Sequence, residues 1–292
     1  MTIEANASDN RIDALFAARD GGDPELVCFL TAGDPGLEST VPAMHALVRG
    51  GASMLELGMP FSDPMADGPV IQAASERALA RGADMSYLLR CVEEFRGGDQ
   101  RTPVVLMGYL NPIERFGFER FCEEASKAGV DALLIVDLPP EECRCVTDHS
   151  APLGMKQIFL VAPTTSAARL DAIAEAAGGF IYYVSLKGIT GAANLDTSDV
   201  ARRVASIRER SDLPVAVGFG VKTRADVSAL AGVADAVVVG SALVQSMHDA
   251  GADAANAVAE HFARELTGQT DSPAPPAAVS DAVRGTAEGA PS

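Results

Sequence analysis

The stretch LELGMPFSDPMADGP, Leu55–Pro69, opens as an apolar strand and then sets three carboxylates, Glu56, Asp63 and Asp67, within twelve residues. Charge is expensive where solvation is poor. Acids at and just beyond an apolar strand end therefore need a cavity or a partner to face, and a carboxylate facing a cavity is where acid–base chemistry would be sought. Along a strand, neighbours alternate faces. Glu56, between Leu55 and Leu57, points either to an open, solvated end of a sheet or under a layer packed on it, and the open end is the less costly place. A salt-bridged edge residue is the structural alternative for Glu56. Asp63, ahead of Pro64, and Asp67, in the turn-rich DPMADGP, equally suit capping and turn formation, the ordinary use of a loop aspartate.

A second kind of chemistry is written in glycine. SLKGITGA (185–192), GFG (218–220) and GSAL (240–243) each follow an apolar run. Glycine lets backbone approach a ligand closely, and its exposed N–H groups can cradle a phosphate. Ser241 would begin a helix, whose N-terminus favours an anion. The net charge of −17 repels an anionic substrate globally, so such local donors would have to hold it. The same charge, with no basic stripe, excludes nucleic-acid binding. His45, His149, His248 and His261 fall in helices or outer loops, which leaves Ser-His-Asp and Cys-His schemes without a base. Lys187 stands near a strand end, where a Schiff-base aldolase could use it or where it could be a solvated loop lysine.

The elements that must position these groups are short apolar runs alternating with amphipathic segments. The strands expected are 26–30, 53–57, 104–108, 131–137, 156–162, 180–185, 214–219 and 235–240, nearly all continuous in apolar character, as in a parallel sheet buried on both faces. Helical patterns fall at 37–51, 118–129, 165–179, 223–232 and 251–266, and one at 8–22 precedes the first strand. Eight strands with intervening helices imply an α/β fold, a (β/α)8 TIM barrel with an extra N-terminal helix across its bottom. Active sites in that fold sit at the C-terminal strand ends, with phosphate near the last two loops. The barrel is expected to occupy 1–267, and the Pro/Ala-rich 268–292, poor in large apolar residues, to be a disordered tail. Five cysteines without framework spacing read as reduced thiols. The N-terminus lacks a basic region followed by an apolar core, and no apolar run reaches the roughly 18 residues a span needs. A cytoplasmic protein is expected, with no membrane partner.

LELGMPFSDPMADGP closely resembles the signature of the tryptophan synthase alpha chain family. GYLNPIERFGFERFCEEASKAGVDALLIVDLPPEE (108–142), YYVSLKGITGA (182–192), VGFGVKT (217–223) and VVVGSALV (237–244) resemble it too, in order, so that the likeness covers about 8–266. The family cleaves indole-3-glycerol phosphate to indole and glyceraldehyde 3-phosphate, a retro-aldol lyase reaction. The resemblance implies Glu56 as acid and base, protonating indole C3 and taking the glycerol hydroxyl proton as the carbonyl forms. It implies Asp67 as acceptor of the indole N–H and stabiliser of ring charge, and selects Tyr182 over Tyr183 as the active-site tyrosine. It also implies phosphate contacts at Gly191, Gly220, Gly240 and Ser241, and an indole pocket of Phe29, Leu134, Leu160 and Phe219 with Tyr109 and Thr190 nearby.

No metal and no cofactor are implied for this chain. The family pairs in an α2β2 complex with a beta chain that carries pyridoxal phosphate and joins indole to serine. Docking is expected over loops near Pro60–Asp63 and Asn111–Pro112, with 188–197 as a mobile lid. Met59, Met65 and the tail depart from the family pattern. Two further readings share the phosphate loops: a stand-alone indole-releasing lyase, and a non-catalytic regulatory subunit that binds a phosphorylated ligand. Glu56, Asp67 and Tyr182 together argue against the second.

Overall fold

Apolar runs bounded by turn residues form eight parallel strands in the computed structural model, which describes residues 10–184, 197–218 and 220–269. They are β1 (Glu25–Thr31), β2 (Met54–Gly58), β3 (Val104–Gly108), β4 (Ala132–Ile135), β5 (Lys156–Val161), β6 (Ile181–Val184), β7 (Val215–Gly218) and β8 (Ala236–Val239). They pair in chain order and close, β1 against β8, so the sheet has no edge. Around it run α1 (Arg11–Ala17), α2 (Thr40–Arg49), α3 (Pro69–Ala80), α4 (Met85–Gly98), α5 (Leu110–Phe116) and α6 (Phe118–Ala128). After them come α7 (Arg144–Ser150), α8 (Ala167–Ala176), α9 (Thr197–Arg208), α10 (Arg224–Ala229), α11 (Ser241–Ala250) and α12 (Ala255–Thr267). This is the (β/α)8 TIM barrel expected from the strand count.

Period-two alternation sorts the strands into two cores. Val27, Met54, Val105, Leu134, Ile158 and Tyr182 fill the barrel interior. Their neighbours Cys28, Leu55, Leu106, Leu133, Phe159 and Tyr183 pack outward beneath the helices. Below, α1 closes the barrel: Ile12 joins the interior core, and Phe16 meets Phe180 edge-on at 6.1 Å. The extra helix is shorter than 8–22. Asn10 caps its start by accepting from the Ile12 amide, and the positive φ of Gly21 and Gly22 carries the chain away beyond its end.

β4 is shorter than the expected 131–137 because its flanking aspartates serve other groups. Asp137 accepts from the Leu110 amide at 2.8 Å, at the start of α5. Asp131 is buried and accepts from Arg96, Arg11 and the Val104 amide at 2.8–2.9 Å, tying the strand bottoms to α1 and α4. Removing one partner of such a buried pair strands the other charges, at about 3–5 kcal/mol. Asp131→Ala is expected to lower stability by that order, read as a lower urea midpoint with an unchanged slope.

The chain leaves α12 through a left-handed Gly268, with the Gln269 amide reaching back to the Arg264 carbonyl at 2.9 Å. Most of the stretch expected to be a tail, 270–292, lies outside the described residues. Ending the chain after Gln269 keeps this cap. The expected outcome is unchanged indole release and an unchanged Tm; a clear fall in either would mean that 270–292 docks on the barrel.

Candidate active site

β2 places Glu56 by alternation: Met54 is an interior residue, so Glu56, two positions on, enters the barrel at its C-terminal end. It borders a cavity of about 250 Å³ at the mouth, together with Asp67 and Tyr182. Glu56 is 1% exposed, and its Oε2 has no hydrogen-bond partner among the described residues. Burial pushes its carboxyl up to about 8, and the nearby charge of Asp67 adds to the rise. At neutral pH Glu56 therefore carries its proton at the cavity wall.

Asp67 is held by the loop after β2. The Asp67 amide donates to the Pro64 carbonyl at 3.0 Å, and the Gln72 side chain, on the first turn of α3, donates to the Asp67 carbonyl at 2.7 Å. Tyr109 clamps the same loop. Its hydroxyl accepts from the Ala66 amide at 3.0 Å and donates to Asp67 Oδ2 at 3.1 Å, while its ring lies 5.4 Å from that of Phe61. Burial raises the Asp67 carboxyl, and the Tyr109 hydrogen bond opposes the rise. Asp63 is exposed; its backbone carbonyl accepts from the Met65 amide at 2.9 Å and its carboxylate accepts from the Ser62 hydroxyl.

Register separates the adjacent tyrosines. Tyr182 pairs with Leu160 and Ala216 and faces the interior, whereas Tyr183 packs under the helices. The Tyr182 ring occupies the space that Gly218 leaves empty: a Cβ there would come 2.8 Å from the ring carbon bearing the hydroxyl. Gly58 makes the same room for Phe29, at 2.6 Å. Burial, and secondly the charge of Glu56, holds the Tyr182 phenol well above its ordinary range, so it remains a donor.

The same cavity is also lined by Gly220, which has a positive φ, and by Gly240 and Ser241 at the start of α11. A backbone N-terminus and a left-handed glycine together suit an anion. Phe29 lines the cavity, Leu134 is part of the interior core with the partly buried Leu160 packed against it, and Tyr109 lines the smaller cavity next to Asp67. Thr190, Gly191, Phe219, Lys187 and nearly all of 188–197 lie outside the described residues. Ile71, Met107, Val238 and Lys222 complete the wall without having been singled out in the sequence. Alternation from Val105 could have found Met107; Ile71 depends on how α3 folds back, which no local pattern encodes. Among the described residues, no histidine borders the cavity. Met59 is buried over Gly108, and Met65 is 86% exposed.

Fold and site define a (β/α)8-barrel enzyme whose cavity is lined by the buried Glu56, the half-buried Asp67, and Gly220 and Gly240. The family model for the tryptophan synthase alpha chain matches residues 16–271. A tryptophan synthase alpha chain from Laribacter hongkongensis is 56% identical over 249 residues, 85% of this chain and 93% of that one. Among solved structures, tryptophan synthase subunit alpha from Legionella pneumophila superposes with a TM-score of 0.79 at 42% identity, covering 89% of this chain and 99% of the other. The tryptophan synthase α2β2 complex from Pyrococcus furiosus also gives 0.79, at 40% identity over 85% and 99%. The chain belongs to the tryptophan synthase alpha chain family. It is the lyase subunit that cleaves indole-3-glycerol phosphate to indole and glyceraldehyde 3-phosphate in L-tryptophan biosynthesis.

Proposed function

We propose that Glu56 performs the proton transfers of this cleavage and that Asp67 holds the indole ring. Breaking the C3–C1′ bond needs C3 to become tetrahedral. Glu56, protonated at neutral pH, delivers that proton and is left as the carboxylate that then accepts the proton of the glycerol hydroxyl. One group thus serves as acid and base in turn, and its raised proton affinity brings both states within reach. Asp67, anchored by Tyr109, accepts the ring N–H and faces the positive charge that builds on the ring once C3 is protonated. Tyr182 stays protonated beside Glu56 as a donor toward the substrate hydroxyls. Gly220, Gly240 and Ser241 receive the phosphate. The buried carboxyl of Glu56 at the cavity wall, its Oε2 without a hydrogen-bond partner among the described residues, is the observation that most supports this reading.

The reading needs no cofactor on this chain; the pyridoxal phosphate of the two-step reaction belongs to the beta partner. An α2β2 assembly, as in the Pyrococcus furiosus complex, is the proposed state. Ser62 and Asp63 after β2 and Asn111 on α5 are exposed at the C-terminal end of the barrel, and the Phe61–Tyr109 contact joins their two segments. A beta chain seated there would rest directly on the loop that carries Asp67. Among the described residues no helix is long and apolar enough to cross a membrane, and a cytoplasmic site of action is proposed with the pathway. Mixing the chain with its cognate beta chain tests the assembly: co-elution at α2β2 size with stimulated indole release is expected. Release that is unaffected by the beta chain, without co-elution, would favour the stand-alone lyase.

A further inference from the structure

Asp67 also borders a second, smaller cavity of about 10 Å³, whose lining includes Thr31, Gly58, Ser75 and Tyr109. Phe29, Asp67, Ile71 and Met107 border both cavities, so the two adjoin at Asp67. The space matches a single water, which needs at least two polar partners to reside there. Thr31, the last residue of β1, offers one. It is 2% exposed, and its Oγ1 has no hydrogen-bond partner among the described residues. A buried hydroxyl left unpaired is unfavourable. Ser75, also buried, and the Asp67 carboxylate provide further polar groups at the lining. The Tyr109 hydroxyl is already committed to Ala66 and Asp67 Oδ2 and restrains only that one oxygen.

We propose that this cavity holds one water bridging Thr31 Oγ1 to the Asp67 carboxylate, and that Thr31 is thereby a positioning residue that keeps Asp67 turned toward the ring nitrogen of the substrate. The inference rests on the reading of Asp67 given above. A second restraint stops the carboxylate rotating about the Tyr109 bond, and donors set behind a reacting group are what hold it in productive geometry. Among the described residues, the other charged or titratable groups at the two cavities are Glu56 on β2, Tyr109 after β3, Tyr182 on β6 and Lys222 after β7. Losing a donor disfavours the ionised carboxylate. The acid limb of the pH–rate profile would then move upward.

The test compares Thr31→Val, which keeps the shape, with Thr31→Ser, which keeps the hydroxyl, in the full chain with its beta partner. Thr31→Val is expected to lower kcat for indole release about tenfold with KM little changed, and to move the acid limb of kcat up by about half a pH unit. Thr31→Ser restores both, and Thr31→Val adds no further loss in an Asp67→Asn background. A slow Asp67→Asn beside a wild-type Thr31→Val overturns the inference alone, whereas a wild-type rate in Asp67→Asn removes the reading beneath it. Equal losses from Thr31→Val in both backgrounds would also overturn it, since Thr31 would then act by packing. If Thr31→Val does not fold, a high-resolution crystal structure of the unmodified chain decides. A water touching both Thr31 Oγ1 and Asp67 supports the proposal, and a cavity without one overturns it.

Discussion

Glu56→Gln lowers kcat for indole release by about 10²–10⁴, the usual worth of a positioned acid or base, while a phosphate-bearing substrate analogue still binds. Glutamine preserves size and leaves the glycine-lined anion end untouched, so loss of analogue binding together with turnover would mean that Glu56 is structural. The same variant should be more stable than the wild type at alkaline pH. The folded carboxyl holds its proton up to about 8, against an ordinary value of 4.5. Between those values the folded state binds more protons than the unfolded one, so wild-type stability falls as pH rises, by up to about 1.4 kcal/mol per pH unit. Glutamine has no such dependence. Its stability advantage grows through that window and levels off above it, which denaturant melts at a series of pH values would read. Gained stability with lost turnover is what a strained functional group produces.

Asp67→Asn slows turnover by about 10²–10³, the order seen when a preorganised electrostatic partner of the transition state is removed. Asparagine can still accept one hydrogen bond from the ring N–H, so KM should change far less than kcat. Wild-type kcat in this variant would refute the charge-stabilising role. A second effect separates charge from geometry. The Asp67 carboxylate is one cause of the high proton affinity of Glu56, so its neutralisation should bring the Glu56 carboxyl down from about 8. The alkaline limb of the pH–rate profile would then move to lower pH in Asp67→Asn. Two carboxylates at one cavity are thus coupled, and their desolvation serves to keep one of them protonated.

The barrel was legible because its strands are continuous apolar runs punctuated by Gly, Pro and Asp, and because they are eight in number. Where a strand ended was less so: Asp137 sits in an apolar context yet leaves β4 to cap α5. Glu56 carried two readings in the sequence, mouth or helix layer, and the interior position of Met54 decides between them. Tyr182 and Tyr183 were separable only by resemblance, since alternation names two faces without saying which is inside. GFG read as one glycine-rich strand end, with Gly220 the anion contact that the resemblance implied. Gly220 has the left-handed backbone for that, while Gly218 instead makes room for the Tyr182 ring. Tyr109 resembled a pocket residue and is a clamp on the Asp67 loop, a contact between residues 42 apart in the chain that no local spacing contains.

The central claim is that a buried, protonated Glu56 starts the cleavage. The most direct measurement is kcat/KM for indole release from indole-3-glycerol phosphate, by the full chain with its beta partner, followed from about pH 6 to about pH 10, a span that brackets both protonation states. The expected profile is level through neutrality and falls about tenfold per pH unit above a midpoint near 8. A profile that stays level to the alkaline end, or no indole at any pH, would contradict it.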